Sequence, residues 1–189
     1  MKKVLVLLAH PNFKDSRGNK ALVDAVQNLP CVTLHNLYDA YPDWTIDVEF
    51  EQQQLKQHDL IVLQFPLQWY SVPPLLKKWM DDVLTYGFAF GASGTALKGK
   101  DLMPVVTTGG LSEMYVAGGA INFSIGEFLR PIQQTAAYCG MNYQSPFVVY
   151  GFLPKALAIP GAITDEQLVQ EQHRYQQVLQ QYCVELIAA

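Results

Sequence analysis

The chain has 189 residues, half of them apolar, with a formal net charge of -4 and a pI near 5.5. That length suits one globular domain with a sizeable core and is short for two. The acidic balance excludes a nucleic-acid binder, which needs a basic face, so any anionic ligand has to be held by local geometry.

The first element is residues 4–9, an unbroken apolar run that reads as a strand buried on both faces; it stops at His10-Pro11, where the residue before proline is pushed out of helical geometry. Lys2 and Lys3 precede the run, but it is too short for a signal peptide's apolar core, and no stretch reaches the ~20 residues that span a bilayer. A cytoplasmic protein is expected. A loop through Asp15 leads to Ser16, Arg17, Gly18 and Asn19, then to a helix of about ten residues around Leu22, Val23 and Val26. In such folds this first strand-to-helix turn cradles a phosphate on free N–H groups and the positive end of the helix dipole. Ser16 and Asn19 are suited to cap those groups or to bond a phosphate, and alone the turn reads equally as an ordinary capped helix.

Residues 31–34 form a short strand, and a Tyr- and Asp-rich connection leads to a short helix over 47–57. The stretch 59–82, DLIVLQFPLQWYSVPPLLKKWMDD, organises the rest. Its residues 60–65 are a second doubly buried strand. Pro73-Pro74 opens a helix whose apolar stripe is Leu75, Leu76, Trp79, Met80, Val83 and Leu84. Between them, Leu67, Gln68, Trp69 and Tyr70 form a strand-to-helix loop at the carboxyl edge, where open α/β sheets bind ligands. Two adjacent aromatic residues stiffened by Pro66 and Pro73 offer a platform for a flat ring. Asp81-Asp82 reads as helix surface or as partners for Lys77, Lys78 or Arg130, because neighbours on a helix point apart.

Residues 87–99 carry four glycines and few apolar anchors, which predicts a surface loop. Residues 101–106 are the fourth strand, ending in Thr107, Thr108, Gly109 and Gly110; paired glycines there let the backbone approach a ligand, or simply make a tight turn. Gly118-Gly119 follows Tyr115. Ser124 with Glu127 fits a capping box, and the main helix is expected from Pro131 to Cys139, ended by Gly140. A fifth strand lies within 142–150. Residues 151–163 are apolar without a period and need a cover, either a partner subunit or a ligand. Thr164 with Gln167 starts a final helix with the stripe Leu168, Tyr175, Leu179, Tyr182 and Leu186. Five strands alternating with helices predict an α/β, flavodoxin-like doubly wound five-stranded parallel sheet with helices on both faces, in a single domain over 1–189.

The four histidines, His10, His35, His58 and His173, have no metal-ligand spacing, and no metal is expected. There is no G-x-S-x-G elbow, no P-loop and no G-x-G-x-x-G after the first strand. Cys31, Cys139 and Cys183 are odd in number and far apart, so buried reduced thiols in a reducing compartment are expected. One polar loop at a helix start, one aromatic loop and one glycine loop share a sheet edge. They match a molecule with a phosphate, a flat ring and a polar ring edge, and flavin mononucleotide is such a molecule.

The motifs A-H-P with S-x-x-N (9–19), F-P-L-Q-W-Y-S-V-P-P-L-L-K (65–77), F-A-F-G (88–91), G-T-A-L-x-G-K (94–100) and V-T-T-G-G (106–110) span most of the chain. In them the chain resembles the flavodoxin-fold NAD(P)H:quinone oxidoreductases, and among these the ancillary subunits of glutathione-gated potassium efflux (Kef) systems. The resemblance implies FMN, with FAD as the alternative, reduced by NAD(P)H and reoxidised by a quinone in a ping-pong two-electron cycle. It implies that His10, Ser16, Arg17, Gly18 and Asn19 hold the flavin phosphate. Leu67, Gln68, Trp69 and Tyr70 would line the ring, and Thr107, Thr108, Gly109 and Gly110 would face its pyrimidine end. Tyr115 matches a tyrosine that helps move charge in larger members, whose histidine partner is replaced here by Ile121. It further implies a homodimer with the flavin at the subunit boundary, with the loop 151–163 closing the pocket or the seam. A regulatory subunit of a potassium efflux antiporter, held at the inner face of the membrane through that transporter, is the alternative function. A flavodoxin-type electron carrier fits less well, since such carriers are more acidic and lack the 65–77 block.

Overall fold

The apolar runs form one parallel sheet, and in the computed structural model, which describes residues 1–153 and 160–184, its strands run in the order 2-1-3-4-5. They are β1 (Val4–Leu8), β2 (Val32–Asn36), β3 (Leu60–Pro66) and β4 (Asp101–Thr107), followed on the far side of β4 by β5 (Asn142–Tyr143) and β6 (Phe147–Val149). The predicted fifth strand is thus two short ones. Between the pairs Leu102↔Tyr143 and Val105↔Phe147 the outer strand has one residue more than β4, and it bulges at Pro146, which has no N–H to give to the ladder. The observed order is that of a flavodoxin-like sheet.

The helices are α1 (Arg17–Val26), α2 (Leu37–Ala40), α3 (Val48–Gln57), α4 (Pro74–Val83), α5 (Ile125–Phe128), α6 (Arg130–Tyr138) and α7 (Asp165–Val184). Successive side chains of a strand point to opposite faces, so each doubly buried strand feeds two cores. Val4, Val6, Leu60 and Val62 pack with Leu22 and Val26 of α1 and Tyr175 and Leu179 of α7. Leu5, Leu7, Ile61, Leu63 and Phe65 pack with Leu55 of α3, Trp79 of α4 and Ile132 of α6.

The predicted caps form: Ser124 and Glu127 close a reciprocal box, Thr164 and Gln167 close another, and Pro73-Pro74 begins α4. Asp47, which was not singled out as a cap, accepts from Phe50 N–H. Lys77 pairs with Asp81 and Lys78 with Asp82 along α4, as the helix spacing requires. The loop 87–99 is better anchored than its glycines suggest, because Phe88, Ala89 and Leu97 are buried in the core. Leu186, placed on the stripe of α7 by sequence, and residues 154–159 of the aperiodic apolar loop lie outside the described residues.

Two long-range features were not visible in the sequence. Cys31 and Cys183 form a disulfide joining the start of β2 to the end of α7, and Cys139 alone is a free buried thiol. The expectation of three reduced cysteines is therefore corrected, and the argument from it to a reducing compartment loses its ground. The second feature is Glu51, fully buried, whose carboxylate accepts from Tyr41 OH at 2.5 Å and Trp79 Nε1–H at 2.8 Å and lies 2.6 Å from His35 Nε2.

Candidate functional site

Strands β1, β3 and β4 run parallel, so the loops after them leave the same edge of the sheet. A cleft of about 290 Å³ opens there, lined by His10 and Asp15 to Gly18 on one side and by Thr107, Thr108 and Gly109 on the other. Pro66, Leu67, Phe152 and Leu153 complete its lining.

On the first wall Ser16 is the N-cap of α1, and its Oγ accepts from Asn19 N–H at 3.2 Å. The N–H groups of Arg17 and Gly18 meet no acceptor among the described residues, so two donors at the positive end of a ten-residue helix are left for an anion. His10 Nδ1 accepts from Asn12 N–H at 3.1 Å, which puts the ring proton on Nε2 and makes that N–H the donor His10 offers to the cleft. Burial holds the His10 pKa below its ordinary 6.5, against a smaller upward pull from a backbone hydrogen bond. The unfolded chain then binds this proton more readily than the folded one, so His10 makes stability rise with pH through the window just below 6.5. Melting curves from about pH 5 to about pH 8 check this: the parent is expected to lose more stability on acidification than His10→Gln.

Arg17 and Asn19 use their side chains elsewhere. The Arg17 guanidinium donates to Ile163 O at 3.0 Å and to Asp165 at 2.6 Å, fastening the start of α7 to the start of α1. Asn19 is buried and donates to Thr107 Oγ1 at 2.8 Å, while its own backbone carbonyl accepts from Gln64 Nε2 at 3.1 Å. Gln64 in turn lies 3.3 Å from Tyr175 OH, so a buried polar chain ties α7, β3, α1 and β4 together beneath the cleft. Every member is hydrogen-bonded, which is the condition for such a chain to fix geometry rather than weaken the core.

The second wall follows β4. Thr108 N–H bonds Val149 O, and Thr108 Oγ1 donates to Gly110 O at 2.9 Å, which holds the turn and leaves the N–H groups of Gly109 and Gly110 without an acceptor among the described residues. Tyr115 lies beyond it, buried. A Cβ on Gly110 would stand 2.9 Å from the Tyr115 ring and 2.9 Å from Ile121 Cδ1, so Gly110 is the residue that lets both approach. Ile121 and Tyr115 thus both stand against Gly110. Tyr150 is the nearest ring to that of Tyr115 among the described residues, at 5.6 Å between centroids. The Tyr150 phenol is pushed above its ordinary range by burial and then by Tyr115.

The loop after β3 is tied across by Leu67 N–H to Thr107 O at 2.9 Å. Gln68 and Ser71 exchange two hydrogen bonds of 3.0 Å, closing a two-residue hairpin with Trp69 at φ 46° and Tyr70 at φ 63°. Two successive left-handed residues mark a type I′ turn, a conformation that costs an L side chain ~1–2 kcal/mol per residue. Tyr70 stacks on Phe128 at 5.0 Å, whereas the Trp69 side chain is 93% exposed. The N–H groups of both residues meet no acceptor among the described residues.

Of the residues singled out from sequence, His10, Ser16, Arg17, Gly18, Leu67, Thr107, Thr108 and Gly109 line one cleft. Asn19 lies beneath it, and Gln68, Trp69, Tyr70, Gly110 and Tyr115 stand beside it rather than in its lining. Asp15, Pro66, Phe152 and Leu153 were not singled out, although the last two belong to the stretch 151–163 that was expected to close the pocket or a subunit seam. Leu67 also borders a larger apolar groove of about 700 Å³ between α4 and α6, walled by Phe65, Met80, Phe128 and Ile132.

A family model described as a flavodoxin-like fold matches residues 2–179. The chain is 48% identical over 148 residues to the glutathione-regulated potassium-efflux system ancillary protein KefG of Yersinia enterocolitica, covering 78% of this chain and 80% of that one. Among solved structures, general stress protein 14 of Treponema denticola in complex with FMN superposes with a TM-score of 0.86 at 39% identity, over 95% of this chain and 98% of that one. An NADPH-quinone reductase from P. pentosaceus superposes with a TM-score of 0.82 at 35% identity, over 97% and 99%.

Proposed function

Because the chain belongs to the flavodoxin-like NAD(P)H oxidoreductase family, we propose that it reduces quinones with NAD(P)H in a ping-pong, two-electron cycle through FMN held in the cleft. The observation that carries this reading is the convergence on one cleft of Arg17 and Gly18 N–H, His10, Leu67 and the Thr107 to Gly109 turn. Bound flavin would supply hydride transfer between NAD(P)H and the quinone, whose second proton would come from solvent.

The chain's own residues supply position and charge. Arg17 N–H, Gly18 N–H and His10 Nε2–H hold the phosphate. The N–H groups of Trp69, Tyr70, Gly109 and Gly110, which meet no acceptor among the described residues, are donors for the ring edge on which negative charge would accumulate during reduction, and preformed donors stabilise that charge without reorganising. Tyr115, with Ile121 in place of a histidine, polarises the acceptor carbonyl, while water supplies the proton. A homodimer accounts for the groove between α4 and α6, which is mostly apolar and is rimmed by exposed Tyr138.

Purified protein loaded with FMN is expected to oxidise NADH or NADPH when a benzoquinone or naphthoquinone is present, with parallel double-reciprocal lines as the quinone is varied. Protein that stays colourless in saturating FMN ends the reading, and intersecting lines end its ping-pong part. A second reading is favoured by the similarity to KefG: the chain is an ancillary subunit of a potassium efflux antiporter. No helix among the described residues is long and apolar enough to cross a membrane, so this role requires docking on a transporter. Tagged protein that fails to retain the antiporter from solubilised membranes ends it.

A further inference from the structure

Phe152 spans the cleft. Its backbone N–H bonds Thr108 O at 2.9 Å, which fixes the residue to the β4 wall. Its ring reaches the opposite wall, where a Cβ on Gly18 would meet Phe152 Cζ at 2.6 Å and Cε1 and Cε2 at 2.8 Å. Only a glycine at the second position of α1 lets the ring tip come that close. Beside this contact, the Arg17 guanidinium is bonded to Ile163 O and Asp165, which ties the start of α7 to the start of α1.

The charges agree with the shape. Asp15 lines the cleft, and its carboxylate accepts from Asn12 Nδ2 at 2.6 Å. The guanidinium of Arg17 is already paired with Asp165. The N–H donors and His10 serve one phosphate. A second phosphate would add negative charge to a cleft that already holds the Asp15 carboxylate and whose one guanidinium is paired with Asp165.

Resting on the flavin reading above, we propose that Phe152, backed by the Arg17–Asp165 pair, walls off the phosphate end of the cleft and makes this chain select a flavin ending in a monophosphate over one extended by a second nucleotide. Phe152 is a specificity-determining residue in this scheme. It acts by excluding volume beyond the phosphate, and the donors that hold the phosphate are not altered by it.

The test is equilibrium binding, independent of turnover. Flavin-stripped protein is titrated with riboflavin, FMN and FAD, following quenching of flavin fluorescence. The parent is expected to prefer FMN over FAD by about 100-fold, and Phe152→Ala to cut that preference by about 10-fold through tighter FAD binding. Phe152→Leu, which keeps an apolar side chain but withdraws the ring tip, gives the same direction of change and serves if the alanine variant does not fold. Binding of all three flavins with equal affinity by the parent, or an FMN-to-FAD ratio unchanged in both variants, overturns the proposal while the flavin reading stands. Failure of the parent to bind any of the three overturns the flavin reading itself, and this inference with it.

Discussion

Glu51→Ala is expected to lower stability by about 3–5 kcal/mol, as removing the shared acceptor of a buried hydrogen-bonded cluster does. The carboxylate is fully buried and is shared by Tyr41 OH, Trp79 Nε1–H and His35, which come from the α2–α3 connection, α4 and β2. Alanine leaves a cavity and strands two buried donors whose desolvation is no longer offset. Burial and then the Glu51 hydrogen bond push the Tyr41 phenol far above its ordinary range, so Tyr41 stays a donor at any physiological pH. Glu51→Gln keeps the shape but turns one N–H₂ toward a donor, and it should cost roughly half as much. In a protein of this size about 4 kcal/mol corresponds to a fall of about 10 °C in Tm. Urea unfolding of parent and variants decides it; a loss below about 1 kcal/mol for the alanine variant would mean that the cluster adds little to stability.

Cys183→Ser is expected to have an effect of comparable size. The disulfide joins residues 152 positions apart, and chain entropy alone predicts about 5 kcal/mol for a loop of that length, with measured values commonly nearer 3. Reduction of the parent should reproduce the variant, because both open the same loop. Urea midpoints measured with and without reductant give the answer. A parent whose midpoint ignores reductant would show that the two thiols are not joined in solution.

The layout of the sheet could be read from the apolar runs because a strand covered on both faces is apolar along most of its length; β1, β3 and β4 each announce themselves that way, with Gln64 the one polar residue inside β3. The helix starts were equally legible, since capping is a matter of three or four adjacent residues, as at Ser16, Ser124 and Thr164. What escaped are contacts between residues distant in the chain. Arg17 reads as a phosphate ligand until Asp165, 148 residues later, is seen to hold it. Asn19 reads as a capping or anion-binding residue until Thr107 takes its amide. Cys31 and Cys183 look unpaired because nothing local brings β2 to the end of α7. The split of the last strand hinges on Pro146, a local signal outweighed by the strong β character of Phe147, Val148 and Val149.

The hairpin tip at Trp69 and Tyr70 has a further meaning. Asn-Gly at these two positions would adopt the same turn with less conformational penalty, so a designer optimising robustness alone would rewrite them first. The chain instead keeps its two bulkiest aromatic types where the backbone tolerates them least, one ring thrust into solvent. Thermal hardiness and whatever those rings touch are thus in opposition at a single dipeptide, and improving the first there would be bought by eroding the second.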